Sequence, residues 1–376
     1  MDFDLAVVGG GPVGLFLALA TRAAGLRPVV LEARAPGATQ ADDRSLALSW
    51  ASCLRLERVG AKLPAIETGG AIRAIHVSHA GHAGRSWITA SDAGIPMLGR
   101  VLGYGELVHA LSAAARDAVD VRHEHAVSAI APDDDGVHVV TAAGDVRARV
   151  AVVADGSGAL LAESGFSTKT KDYGVHALVA RVTADGPARD VAYERFATHG
   201  PLALLPRGDG FAIVWTLPED AARELAAAPD AAFLRALQDA FGWRAGRFST
   251  VAARACYPLV LRETTPLVRG RIAVIGNAAQ TLHPVAGQGF NLGLRDAWAV
   301  TSALRAGSVD DPLATYTATR KRDRAAVVGF TDTLAGLFRS DAPGVGSIRA
   351  LGLEALDLLP GARRLFARAL AVDAGR

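Results

Sequence analysis

The stretch from Asp4 to Glu32 leaves few choices of fold. Asp4 to Val8 is an apolar, β-branched run that predicts a buried strand. Gly9 to Gly14 is a turn, Leu15 to Ala24 a helix stopped at Gly25, and Pro28 to Leu31 a second strand ending at Glu32. Gly9, Gly11 and Gly14 stand at the G-x-G-x-x-G spacing of a βαβ unit. In such a unit the first glycine makes the turn and the second admits a pyrophosphate to the helix N-terminus. The third lets helix pack on strand. Glu32 follows at the separation where a carboxylate accepts from a ribose hydroxyl. The pattern points to a dinucleotide and does not separate FAD from NAD.

Leu5 to Thr21 carries no charge, which superficially suggests a signal peptide or membrane span. Asp2 and Asp4 occupy the place of the positive flank, and Gly9-Gly10-Gly11-Pro12 would break a spanning helix. A chain of 376 residues exceeds one ordinary core and predicts two domains. Its net charge of +2 gives no footprint for nucleic acid. Two cysteines, Cys53 and Cys256, form no disulfide framework; they read as small buried hydrophobes in a reducing cytoplasm.

The second informative stretch runs from Arg271 to Trp298. Arg271 to Ile275 predicts a strand stopping at Gly276, and Asn277 to Pro284 offers small and polar groups. Gly287-Gln288-Gly289 then bares the backbone ahead of a helix over Phe290 to Leu304. Unpaired N–H groups beside the positive end of a helix dipole suit a phosphate, or an atom that gains negative charge.

This stretch resembles the second FAD fingerprint of the single-component flavin monooxygenases of the p-hydroxybenzoate hydroxylase fold. Gly276, His283, Pro284, Gly287, Gln288, Gly289 and Asn291 match it, and Asn277 stands in the place of its aspartate. Within that group the string is similar to the ubiquinone-biosynthesis branch, of the 2-polyprenyl-6-methoxyphenol hydroxylase (UbiH) type. The resemblance implies an α/β fold: a Rossmann-like FAD-binding domain over 1–70, 96–171 and 265–325, and a mixed α+β substrate domain over 71–95 and 172–264. A helical C-terminal segment, 326–376, completes it. The FAD contacts it implies come from Gly9, Gly11, Gly14, Glu32, Arg44, Tyr104, Asp155, Gly156, Gly276 and Asn277, and from Pro284, Gly287, Gln288, Gly289, Phe290 and Asn291.

Arg44, at the head of an expected second helix, is implied to reach the FAD phosphates through its forked guanidinium. Tyr104 holds a position where the family favours Arg, Gln or Asn. Asp155-Gly156 matches a motif lining the passage between flavin and nicotinamide, although Ala159 and Ala162 replace its later serine and arginine. His283 and Pro284 are implied at the reacting ring, the histidine as a candidate base.

Elsewhere, Leu202 to Leu205 and Phe211 to Thr216 predict a hairpin, and Asp220 to Ala240 one amphipathic helix. Leu313 to Val328 predicts a helix whose Arg320, Lys321, Arg322 and Arg324 form a solvated or inter-helix charged face. The helical end of the chain either packs on its own domain or meets a partner or membrane surface. His76, His79 and His82 alternate faces on strands, and His123 and His125 lack a third ligand nearby, so no metal site is expected.

The implied chemistry uses FAD, O2, and NAD(P)H or another electron donor. Reduced flavin would form a C4a-hydroperoxide and hydroxylate the ring of a polyprenylated (methoxy)phenol. The alternatives are another flavin oxidoreductase on the same fold, or a non-catalytic flavoprotein scaffold in a ubiquinone-biosynthesis complex. The expected location is the cytoplasm, with peripheral membrane contact open.

Overall fold

The computed structural model describes residues 2–38, 42–66, 70–81, 84–186, 189–197, 200–281, 288–307, 311–321, 323–325, 329 and 359–372. The chain begins β1 (Phe3–Val8), α1 (Pro12–Ala23), β2 (Pro28–Leu31), β3 (Ser45–Ser49), α2 (Trp50–Arg58) and β4 (Ala71–Ile72). It continues through the hairpin β5 (Ala74–His79) and β6 (Arg85–Thr89), then α3 (Ala90–Ala93), β7 (Gly99–Gly103), α4 (Tyr104–Ala115) and β8 (Asp120–Arg122). Next come β9 (Val127–Pro132), β10 (Val137–Thr141), β11 (Val146–Val153), β12 (Ser167–Ala184), β13 (Val191–Ala197), β14 (Gly200–Arg207) and β15 (Gly210–Pro218). After α5 (Glu219–Ala227) and α6 (Asp230–Phe241) follow β16 (Phe248–Thr265), β17 (Val268–Arg269), β18 (Ile272–Val274), α7 (Gly276–Ala279), β19 (Gln280–Thr281) and α8 (Gln288–Ala306). The last described helix is α9 (Pro360–Ala371).

The first sheet has a parallel centre, β8-β2-β1-β11-β18, with Val7 opposite Val30 on one side and Val152 on the other. Its central strands are apolar over Leu5–Val8, Pro28–Leu31 and Val150–Val153, where both faces are covered, which is the rule for parallel sheets. Gly14 is what lets α1 lie close: a Cβ there would sit 2.0 Å from the Gly9 carbonyl oxygen. The second large sheet is mostly antiparallel, in the order β19-β16-β12-β15-β14-β13-β5-β6. A small sheet, β3-β7-β4, stands between the two.

Alternation governs the second sheet. Leu178, Tyr193, Leu202, Leu204, Ile213 and Trp215 pack with Phe233, Leu237 and Phe241 of α6. The residues between them in sequence turn to the other face.

Two local expectations are corrected, and a third is decided between its alternatives. Arg44 precedes a strand, not a helix: Ser45 to Ser49 pairs antiparallel with Gly99 to Gly103, and helix starts only at Trp50, capped by Ser49. The single helix expected over Asp220 to Ala240 is two. Pro229 forces Ala228 into an extended conformation, with φ −63° and ψ 151°, and breaks the run. Of the two faces open to the charged run after Leu313, Arg320 takes the inter-helix one, pairing with Asp296 of α8. Arg320 and Arg324 are 4% and 7% exposed; Lys321 is exposed and Arg322 lies outside the described residues.

Those arginines serve the turn at Gly276. Arg320 Nε donates to Asp296 Oδ1 at 2.7 Å, and the guanidinium also pairs with Asp323. Asp296 accepts from Gln280 Nε2 at 2.7 Å and from the Gly276 amide at 3.4 Å. Arg324 caps the Ala279 carbonyl at 2.8 Å. Removing one member of a buried pair strands the other charge in a dry interior. Asp296→Ala is therefore expected to lower unfolding free energy by about 3 kcal/mol, measured by urea denaturation of the FAD-loaded protein.

Candidate active site

The carboxyl ends of β1 and β11 and the N-terminus of α1 open onto a cavity of about 1720 Å³. One end is polar. Gly9 takes φ +105°, and an added Cβ there would meet the Ala154 oxygen at 2.8 Å. At Gly11 an added Cβ would meet only the Tyr104 hydroxyl, at 3.7 Å, so its backbone faces open space. The N-terminus of α1 has no acidic residue in its first turn, and its free amides offer partial positive charge to the cavity.

Around that N-terminus stand Arg34, Arg44 and Tyr104, all lining the cavity. The Arg44 guanidinium lies 5.0 Å from the Tyr104 ring centroid and forks onto Asp42, with Nη2 to Oδ2 at 2.6 Å. Burial raises the Tyr104 pKa, against the pull of Arg34 and Arg44. Glu32 accepts from the Gly10 amide at 2.7 Å, the Arg34 amide at 2.9 Å and the Arg34 Nε at 2.7 Å. Burial opposes the Glu32 charge, yet these bonds outweigh it and hold the carboxyl below its usual value. Two cations and a row of bare amides fit the diphosphate of a dinucleotide, and Glu32 lies beside them.

Asp155, Gly156, Gly276, Asn277, Gly289 and Phe290 line the same cavity. The Asp155 carboxylate turns back on its own loop and accepts from the Gly158 amide at 2.9 Å. Asn291 is placed elsewhere: its Nδ2 donates to the Ala47 carbonyl and its Oδ1 accepts from the Ser49 amide, each at 2.9 Å. It staples α8 to β3 and shows the cavity no side chain. Gly14 packs under β1, and Gln288 is not part of the cavity wall. His283, Pro284 and Gly287 lie outside the described residues.

The other end of the cavity is apolar and was not foreseen residue by residue. Val77, Phe196, Ala203, Leu205 and Val214 of the second sheet line it, closed by Phe366 and Leu370 of α9. Arg34 was also missed; no spacing rule marks it. His76 lies edge-on to Trp87, with ring centroids 4.6 Å apart.

A phosphate cradle that shares its cavity with a large greasy wall defines a dinucleotide-dependent enzyme with room for a second molecule. Ordinary small-ligand sites occupy about 300–1,000 Å³. Comparison with known proteins supplies the family. A model of the FAD binding domain family matches residues 2–331. A ubiquinone hydroxylase of Rhodospirillum rubrum, UbiL, is 33% identical over 97% of this chain and 88% of its own length. The 3-demethoxyubiquinol 3-hydroxylase of Escherichia coli is 28% identical over 94% of both chains. The crystal structure of p-nitrophenol 4-monooxygenase PnpA from Pseudomonas putida superposes with a TM-score of 0.79 at 20% identity. That superposition covers 98% of this chain and 97% of that one, so the fold is shared. The chain belongs to the FAD-binding family of flavin-dependent monooxygenases.

The Glu32 arrangement carries a pH signature. Its folded-state pKa is depressed, so its stabilising contribution is complete above the unfolded value, 4.5, and is lost as pH falls below it. Acid titration of stability is expected to show the parent losing stability in that window. Glu32→Gln should be less stable at neutral pH and flatter below 4.5.

Proposed function

We propose that this protein hydroxylates the aromatic ring of a polyprenylated (methoxy)phenol in ubiquinone biosynthesis, using FAD, O2, and NAD(P)H or another electron donor. The observation that carries the reading is the single cavity, whose phosphate-binding end runs without a partition into a long apolar wall. A ring with a hydrocarbon tail matches that wall, since buried apolar area is worth about 25 cal/mol per Å². The ubiquinone-pathway names of the two relatives point to the same substrate class.

Bound FAD supplies the activation of O2 and the transfer of one oxygen atom. The chain supplies the setting. The amides of Gly11 and the following turn would hold the diphosphate, with Arg34 and Arg44 as counter-charges and Glu32 at the ribose. Asn277, Gly289 and Phe290 line the cavity at the starts of α7 and α8, and N–H groups there would favour a flavin ring carrying negative charge. Asp155 and Gly156 border the electron-donor passage. On the motif resemblance alone, His283, Pro284 and Gly287 are further candidates for FAD contact. Residues 71–95 and 172–264 form the substrate unit over the FAD unit.

No helix among the described residues is long and apolar enough to cross a membrane. Peripheral contact is part of the proposal. On α9, Leu365 is 73% exposed between the exposed Arg364 and Arg368, a surface suited to anionic lipid beside the apolar cavity.

The test is to supply a prenylated methoxyphenol and isotopically labelled O2 to the purified, reduced holoenzyme. One labelled oxygen in the product ring is expected; electron-donor oxidation with no ring product would refute the reading. Gly11→Leu should weaken FAD binding at least about tenfold, or about 1.4 kcal/mol, by equilibrium dialysis.

A further inference from the structure

One transverse row of the apolar wall contains a residue out of character. Strand register sets Val77, Glu194, Ala203, Val214, Val179 and Ala255 in one transverse row across β5, β13, β14, β15, β12 and β16. All six line the cavity. Five are apolar and the sixth bears a carboxyl. Ala192 and Phe196, two residues to either side on β13, face the same space.

No hydrogen bond or ion pair holds the Glu194 side chain among the described residues. Two titratable groups on its sheet face have other partners. His79 of β5, opposite Phe196, approaches the Ala80 carbonyl through Nδ1 at 2.7 Å. Arg181 of β12 pairs with Asp43 at 2.8 Å. On β16, Arg254 turns to α6, where it pairs with Asp230 at 2.8 Å and lies over Phe233; Tyr257 is 41% exposed, and Arg262 lines the cavity at the end of the strand paired with β19. β14 and β15 present Ala203, Leu205, Ala212 and Val214, and α9 presents Phe366 and Leu370. What surface Glu194 keeps is cavity wall. A carboxyl half-buried in an apolar wall without a partner is costly to maintain, and its counterpart is expected on a ligand.

We propose that Glu194 accepts the hydrogen bond of the substrate's phenolic hydroxyl and takes its proton, so that the ring reacts as an electron-rich phenolate. This assignment rests on the reading of the protein as a phenol hydroxylase. The O–H bond breaks, its electron pair stays on the phenol oxygen, and the proton passes to a carboxylate oxygen. When the hydroxylated ring regains aromaticity, the ring carbon sheds its hydrogen as a proton and the phenol oxygen recovers one, returning Glu194 to its starting form. Burial pushes the carboxyl up to about 7, so near neutral pH it both accepts and returns a proton. An apolar wall with one acceptor also selects a neutral donor on a greasy body over an anion, because a like charge placed there would lack compensation.

The experiment uses FAD-loaded enzyme with a prenylated methoxyphenol, and its O-methyl ether as a binding probe. In the parent, kcat/KM should rise to a plateau as pH passes about 7, the side on which Glu194 is ionised. Glu194→Gln keeps the shape of the protonated form. It should lose roughly 10²-fold or more in kcat/KM, lose the limb at about 7, and retain FAD. Glu194→Asp should recover part of the rate together with a titrating limb. By calorimetry the parent should prefer phenol over ether, and Glu194→Gln should prefer it less. A glutamine variant with the parent's rate, limb and preference overturns the assignment. A parent that neither binds nor hydroxylates any phenol overturns the functional reading beneath it, and the assignment falls too.

Discussion

The contact on which the rest of the molecule depends is the closest one: α1 lies against the end of β1 with only the hydrogen of Gly14 between it and the Gly9 carbonyl. A methyl in that gap would push the helix off the sheet. Because the helix is seated there, its free N–H groups point past the carboxyl ends of β1 and β11 and not into the core. β18 continues the sheet beside β11, and Gly276 then turns the chain over Val13 at the head of the same helix. Two distant parts of the sequence thus share one helix N-terminus.

Holding that second turn requires more than apolar packing. Asp296, from α8, reaches back to the Gly276 amide and to Gln280, and Arg320 neutralises it from the helical stretch 314–321. Buried pairs of this kind contribute little net stability against an apolar core, since desolvation offsets most of their attraction. Their value here is geometric. Arg324 on the Ala279 carbonyl and Asp296 on the Gly276 amide clamp both ends of a four-residue helix too short to persist alone. Asn277 is thereby delivered to the cavity.

The second sheet has two dry faces of different kinds. One meets α5 and α6 and is buried as core; the other is apolar but faces the cavity. Leu202 and Leu204 are fully buried while Ala203 and Leu205 are only half so, which is the strand period expressed as function. α9 adds Phe366 and Leu370 and is tied to α3 by Arg363 and Asp92, 2.9 Å apart.

The sequence alone determined the FAD-binding half, because glycine spacing, strand ends and helix starts are local constraints written over a few residues each. Gly9, Gly11 and Gly14 had to form the cradle wherever the remaining chain went. Pro229 also marked its helix break locally, yet the amphipathic pattern across it gave a stronger and misleading signal. Only the tertiary structure decided which polar residues are internal. Arg320, Arg324 and Glu194 sit at positions whose periodicity says outward, and outward means solvent only if nothing else covers that face. At Arg320 and Arg324 the covering element is α8 with the Gly276 turn; at Glu194 it is the cavity enclosed by the other sheets and α9. Partners hundreds of residues apart, such as Asn291 with Ala47, leave no spacing to read. Their meeting is fixed by packing, which no local pattern encodes.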